Sequence, residues 1–131
     1  MINKLAAEIH ANAKSKGFYD EPKNIGEMLC LIHSEVSEAL EADRKGNYAR
    51  DLQGRLDQIK ASYSLTLPKD EDEDFKRVFA DRVKDSFECE LADIMIRVMD
   101  LAAYKGIDLE YYISVVMRNN SLRPFKHGKK Y

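Results

Sequence analysis

The sequence lacks the features that mark several large classes of protein. Its 131 residues carry a formal net charge of only −2, so no overall basic field indicates binding to nucleic acid. No apolar run approaches the roughly 20 residues that a membrane-spanning helix needs. The first residues, Met1–Leu5, contain no apolar block of the kind found in signal peptides. We therefore expect a cytoplasmic protein that binds neither nucleic acid nor a membrane.

Cysteine is also scarce. Cys30 and Cys89 are the only two, and they form no Cys-x-x-Cys motif. We expect both to be reduced and buried as small hydrophobic residues, which is the common state of isolated cysteines in such a protein. A disulfide between them and a catalytic thiol are the alternatives.

No strand-like alternation, internal repeat or low-complexity segment interrupts a helical pattern. With 44% hydrophobic and 34% charged residues, the chain is typical of a single soluble, helix-rich domain covering residues 1–131. Apolar residues recur at helical spacing over residues 2–15, 25–45, 84–104 and 108–120. The sequence therefore predicts an all-α protein, a four- to five-helix bundle with core helices at 25–45 and 84–104.

Short polar signals separate these helices. Gly17, Gly46 and Gly106 are expected to end the helices that precede them. Residues 17–24 form a predicted loop, and Asn24 and Asp108 are predicted N-caps.

Residues 47–83 are an inserted connection whose pattern is weaker. Leu52, Leu56 and Ile59 fit a short helix, Pro68 is expected to interrupt it, and helix is expected to resume before residue 84. The next helix is apolar on more than one side, and such a surface must be covered on several faces. We therefore expect a homo-oligomer.

Two acidic motifs lie on the apolar background of the predicted core helices. They are Glu35-Val36-Ser37-Glu38 and Glu90-Leu91-Ala92-Asp93. Charged residues in apolar stretches are rarely buried without a partner. If the two helices pack antiparallel, their four carboxylates meet and repel one another unless they are protonated or bound to a cation. A solvated helix face is the alternative interpretation.

The ligand type indicates which metal such a site would prefer. Oxygen ligands suit Mg²⁺ or Mn²⁺ rather than zinc. A di-iron bundle would show a Glu-x-x-His motif, and neither acidic motif contains that histidine. Because Mg²⁺ held by few protein ligands keeps positions for substrate phosphates, the motifs favour phosphate-ester or anhydride chemistry.

The C-terminal segment is basic and could contact such phosphates. Its candidate substrate-binding residues are Asn120, Arg123, Lys126, His127, Lys129 and Lys130. A frayed, solvated terminus is the alternative. His10 and His33 are interpreted as ordinary packed or surface histidines.

Four stretches together resemble the MazG-like all-α nucleoside triphosphate pyrophosphohydrolases, a superfamily that includes dimeric dUTPases and phosphoribosyl-ATP pyrophosphatases. These stretches are Gly17–Asp20, Leu31–Ala42, Glu90–Ile94 and Lys105–Leu109. Two departures are Ser34, where the family often has Glu, and the long connection between the acidic motifs. Both leave the base and sugar preference open.

The resemblance implies an activity and a site. It implies that Glu35, Glu38, Glu90 and Asp93 bind Mg²⁺. It implies hydrolysis of an NTP or dNTP to the monophosphate and pyrophosphate by a homodimer or homotetramer. We expect Glu38 to accept the proton of the attacking water or to orient that water. We expect Phe18 or Tyr19 to stack on the base, and packing within the loop is the alternative role for both. The alternatives are a catalytically silent nucleotide-binding or regulatory oligomer of the same fold and a hydrolase acting on a non-nucleotide pyrophosphate.

Overall fold

The computed structural model describes residues 1–49 and 68–131. These residues form five α-helices and one short 3₁₀ helix, with no strand among them. The helices are α1 (Ile2–Ser15), α2 (Ile25–Arg44), α3 (Pro68–Arg82), α4 (Phe87–Tyr104), α5 (Leu109–Ser121) and the 3₁₀ helix (Phe125–Gly128). The predicted all-α class is confirmed. None of the described helices is long and apolar enough to cross a membrane.

The helix boundaries follow the local signals with one exception. Asn24 accepts a hydrogen bond from the Glu27 backbone N–H at 3.1 Å, and Asp108 accepts one from the Tyr111 N–H at 2.9 Å. Both predicted caps are confirmed. The predicted start at residue 84 is wrong, because α4 begins only at Phe87, after a turn that contains Asp85 at φ +60°.

Glycine ends α2 and α4 in the same way. At the end of α2, the Gly46 N–H donates to the Asp43 carbonyl and the Asn47 N–H to the Ala42 carbonyl, both at 2.9 Å. Gly46 has φ +65°, a conformation that is costly for residues with a Cβ. This pair of bonds is the Schellman motif, and Gly106 repeats it after α4.

Part of the inserted connection is helical. Pro68 was expected to interrupt a helix, but it is the first residue of α3, a position where its missing N–H costs nothing. The predicted short helix with Leu52, Leu56 and Ile59 lies outside the described residues.

The chain divides into two compact units. The first comprises Met1–Met28 and Ile96–Tyr131. Within it, α1 contacts α5, and Asn3 joins them: its Nδ2 donates to Asp108 Oδ1 at 2.7 Å, and its Oδ1 accepts from the Glu110 N–H at 3.1 Å.

The second unit comprises Leu29–Met95. Its buried apolar residues are Ala39, Ala42, Val78 and Val83. Ser86 is almost completely buried at the turn between α3 and α4. This unit carries both acidic motifs.

Candidate metal centre

Three carboxylates of the second unit converge. Glu35 of α2 and Glu90 and Asp93 of α4 each offer an oxygen, and these oxygens lie within 4.8 Å of one another. We call these three residues the acidic cluster. Glu35 and Glu90 are only 7% and 5% exposed, and Asp93 is half-buried. Carboxylates this buried are uncommon and mark the cluster as a site of interest.

Helix geometry places each member. Glu35 shares the buried face of α2 with Ala39 and Ala42, which follow it four and seven residues later. On α4, the Ser86 hydroxyl accepts from the Cys89 N–H at 3.2 Å and so caps the helix. The Glu90 N–H donates to the Ser86 carbonyl at 3.0 Å. Glu90 and Asp93 therefore leave the start of α4 from one face.

The electrostatics of the cluster are visible in Glu90. Burial raises the pKa of its carboxyl group to about 7. The negative charges of Glu38, Glu35 and Asp93 contribute in that order, and a hydrogen bond with Glu38 adds to them. Near neutral pH, Glu90 is therefore partly protonated, and a cation in the cluster would compete with that proton.

Glu38 stands at the edge of the cluster. It is exposed on α2 and is not one of the three residues whose oxygens converge. Its charge is nevertheless the strongest of the three that act on Glu90. The structure thus brings together three of the four predicted ligands and keeps the fourth within hydrogen-bonding reach of Glu90.

The donor set fits a hard divalent cation. All three converging groups are carboxylates, and oxygen ligands are preferred by Mg²⁺, Mn²⁺ and Ca²⁺ rather than by soft metals. Glu35, Glu90 and Asp93 could hold such an ion, whose charge would offset the repulsion among them.

The cysteines differ from expectation. Cys30 is exposed and Cys89 half-buried, and neither forms a disulfide. The prediction of burial is wrong for Cys30, which lies between the half-exposed Leu29 and Leu31 of α2. Burial, followed by the charge of Asp93, raises the pKa of the Cys89 thiol. A raised pKa disfavours the thiolate and therefore a catalytic thiol.

The predicted substrate-binding residues all lie in the first unit, whereas the acidic cluster lies in the second. Phe18 is 62% exposed in the turn after α1, with the Lys23 ammonium 5.7 Å from its ring centre. The remaining predicted residues are exposed at the end of α5 and after it: Asn120, Arg123, Lys126, His127, Lys129 and Lys130. Lys126 and His127 have positive φ angles of 52° and 53°.

A second polar group in the first unit was not predicted from the sequence. Asp100 Oδ1 lies 2.8 Å from His10 Nδ1, and Asp100 Oδ2 accepts a hydrogen bond from the Tyr19 hydroxyl at 2.6 Å. The Tyr104 ring lies 5.0 Å from the Tyr19 ring, and the His10 ring packs edge-on against Tyr19 at 4.5 Å. We call these four residues the Asp100 network.

The sequence contained one signal for this network. Asp100 is among only three charged residues between Leu91 and Leu101, and such a carboxylate needs a partner when it is partly buried. His10 is a packed histidine, as predicted, and it shares its partner Asp100 with Tyr19. Burial and the hydrogen bond to Asp100 raise the pKa of Tyr19, so this residue stays a hydroxyl donor.

No protein-family model, curated protein or solved structure matches the chain.

Proposed function

We propose that the protein is a nucleotide pyrophosphohydrolase that depends on Mg²⁺, with Mn²⁺ as a substitute. It converts an NTP or dNTP and one water into the nucleoside monophosphate and pyrophosphate. The observation that carries this proposal is the acidic cluster, whose three oxygens lie within 4.8 Å of one another on two helices. The sequence resemblance to the MazG-like enzymes supports the choice of reaction.

We assign different roles to the four carboxylates according to their burial. Glu35, Glu90 and Asp93 would hold the cation, which would supply positive charge to the substrate phosphates. Glu38 is exposed beside Glu90, so water and substrate can reach it. We assign to Glu38 the role of general base. It accepts the proton that the attacking water loses as the water oxygen bonds to phosphorus and the anhydride bond between the α and β phosphates breaks, which releases pyrophosphate.

The substrate base and phosphates are assigned to residues of the first unit. Phe18 presents an exposed ring next to the Lys23 ammonium, a combination that suits stacking on a planar base carried by an anionic nucleotide. The exposed polar and cationic residues listed above, from Asn120 to Lys129, are assigned to the phosphates.

The exposed apolar residues support assembly into a homodimer or homotetramer. On α2 and α4, six large apolar side chains of the second unit are each 45–50% exposed: Leu29, Leu31, Val36, Leu40, Leu91 and Met95. Large exposed apolar patches are rare on monomeric soluble proteins and often mark interaction sites. Light scattering after size exclusion should give two or four times the 15.1 kDa chain mass.

The decisive experiment measures pyrophosphate release from the four NTPs and four dNTPs with Mg²⁺, with Mn²⁺ and with a chelator. At least one nucleotide should be hydrolysed, and the chelator should abolish turnover. Glu38→Gln should lower kcat by about 100-fold or more, because it removes a general base. It should do so with little change in melting temperature.

The chain offers a matched control in Glu41→Gln. Glu41 is exposed on the same helix, pairs with Lys45 at 3.2 Å and is not one of the converging carboxylates. This variant should keep full activity. Cation binding without turnover of any nucleotide would instead favour the silent nucleotide-binding module, and an active Glu38→Gln would refute the role of Glu38.

A further inference from the structure

The position of the acidic cluster depends on where α4 begins. Glu90 lies in the first turn of α4, and its N–H is bonded to the Ser86 carbonyl. Asp93 follows one turn later on the same helix. A small change in the first turn of α4 would therefore move two of the three converging carboxylates relative to Glu35 on α2.

Asn47 ties that first turn to the end of α2. Its backbone carbonyl accepts a hydrogen bond from the Phe87 N–H at 2.9 Å. Its side-chain Nδ2 donates to the Asp85 carbonyl at 2.6 Å. Phe87 is the first residue of α4, and its N–H is one of the donors that a helix cannot satisfy internally. Asn47 thus holds both sides of the Ser86 cap.

Asn47 is itself fixed to α2. Its N–H donates to the Ala42 carbonyl in the Schellman motif at Gly46. One residue therefore bonds to α2 through its N–H and to the start of α4 through its carbonyl and its side chain. The neighbouring Ala49 N–H adds a bond of 2.7 Å to the Glu88 carboxylate.

The turn that Asn47 holds is costly for the backbone. Asp85 has φ +60°, in the left-handed region that residues with a Cβ adopt less readily than glycine. The Asn47 amide bonds to the carbonyl of this residue. Without the amide, the turn loses a hydrogen bond that stabilises the positive φ of Asp85, and the first turn of α4 can shift.

We propose that Asn47 is a positioning residue for the cation site: it sets the start of α4 relative to α2 and thereby the spacing of Glu35, Glu90 and Asp93. This inference rests on the proposed function, because it assumes that the acidic cluster binds a cation. Asn47 itself belongs neither to the acidic cluster nor to the residues assigned to substrate.

The test compares the Mn²⁺ affinity of the wild-type protein with that of the Asn47→Ala and Asn47→Asp variants. Free Mn²⁺ is measured by electron paramagnetic resonance at a temperature well below unfolding. Both variants lose the Nδ2 donor and keep the backbone carbonyl. We expect the Mn²⁺ dissociation constant to rise about three- to tenfold, less than the roughly 10- to 100-fold effect of removing a direct partner of a metal ligand, because Asn47 acts through the backbone. The Mg²⁺ concentration for half-maximal activity should rise by the same factor.

A control separates positioning from a general loss of stability. Asp108→Ala removes a helix cap in the first unit, where Asp108 bonds to Asn3 and Tyr111. It should lower the melting temperature about as much as the Asn47 variants do, and it should leave Mn²⁺ affinity unchanged.

The outcomes distinguish the two proposals. If the wild-type chain binds Mn²⁺ and the Asn47 variants bind it equally well, the positioning role is refuted while the proposed function stands. If Mn²⁺ affinity falls in the Asn47 variants but no nucleotide is hydrolysed by the wild type, the positioning role stands and the proposed reaction fails. A wild-type chain that binds no cation overturns both.

Discussion

The acidic cluster and the Asp100 network hold buried polar groups in opposite ways. In the acidic cluster, three carboxylates of like charge converge, and the pKa of Glu90 rises to about 7. In the Asp100 network, a single carboxylate receives a hydroxyl donor and faces an imidazole nitrogen. The first arrangement gains from a bound cation, whose charge offsets the repulsion among the carboxylates. The second satisfies Asp100 with groups from its own unit.

This difference distinguishes a candidate binding site, the acidic cluster, from a stabilising contact, the Asp100 network. Convergent like charges lower stability unless protonation or an opposite charge offsets them, and clusters of this kind are enriched at functional sites. A hydrogen-bonded network between α1, the following turn and α4 contributes stability by itself. Substitutions should therefore have opposite effects in the two regions.

The largest expected effect is on activity in the acidic cluster. Glu90→Gln keeps the shape of the side chain but removes a ligand charge, so nucleotide hydrolysis should fall at least about 100-fold. The same change should raise the free energy of unfolding without cation by about 1 kcal/mol, because like-charge repulsion is relieved. Pyrophosphate release and urea unfolding with a chelator measure the two effects. A Glu90→Gln variant that is less stable would show that the cluster contributes to the fold.

The Asp100 network should respond in the reverse direction. Asp100→Ala leaves both His10 Nδ1 and the Tyr19 hydroxyl without their acceptor, which should cost about 2–3 kcal/mol of unfolding free energy. Urea unfolding measures the loss. A double-mutant cycle with Tyr19→Phe should give a coupling energy of about 1 kcal/mol or more. If the two changes are additive, the hydrogen bond contributes nothing to stability.

A smaller effect is expected from pH. The Glu90 pKa is about 7 in the folded protein and 4.5 for an ordinary glutamate, so the folded state binds this proton more tightly. The resulting stabilisation is complete below about pH 4.5 and is lost as the pH rises through 7. Because the range from about pH 5.5 to pH 8 covers only part of this titration, the protein without cation should lose about 1–2 kcal/mol across it.

Two comparisons sharpen that pH prediction. Glu90→Gln should remove most of the slope, whereas Asp100→Asn should keep it. Added Mg²⁺ should stabilise the protein more at pH 8 than at pH 5.5, because the cation competes with the Glu90 proton. An equal slope in Glu90→Gln would assign the pH dependence to another group.

The sequence was sufficient where a structural cause is local. Asn24 and Asp108 cap helices and Gly46 ends one through bonds within six residues, so a short window contains the whole signal. The acidic motifs could also be identified from the sequence, because the two carboxylates of each motif lie at helical spacing on an apolar helix.

Contacts between residues far apart in the chain could not be predicted from the sequence. At the start of α4, the Phe87 N–H bonds to the carbonyl of Asn47, which is 40 residues earlier in the chain, and the apolar spacing over residues 84–104 did not indicate the turn before Phe87. Likewise, His10 and Asp100 are separated by 90 residues. Neither residue type specifies its partner, so a helical pattern alone could place Asp100 on α4 but could not pair it with His10.

The smallest expected effect tests whether the exposed edge of the first unit belongs to a binding site or to a stabilising contact. Phe18 is 62% exposed next to Tyr19 of the Asp100 network, so Phe18→Leu should change the free energy of unfolding by less than about 0.5 kcal/mol. If its ring stacks on the substrate base, KM should rise about fivefold with kcat nearly unchanged, since a stacked base contributes about 1–3 kcal/mol. Tyr112→Leu, at an aromatic ring of similar exposure on α5, is the matched control and should leave KM unchanged. An unchanged KM in Phe18→Leu, together with a marked loss of stability, would mean that Phe18 only packs its turn. Steady-state kinetics on the preferred nucleotide and urea unfolding of both variants decide between stacking and packing.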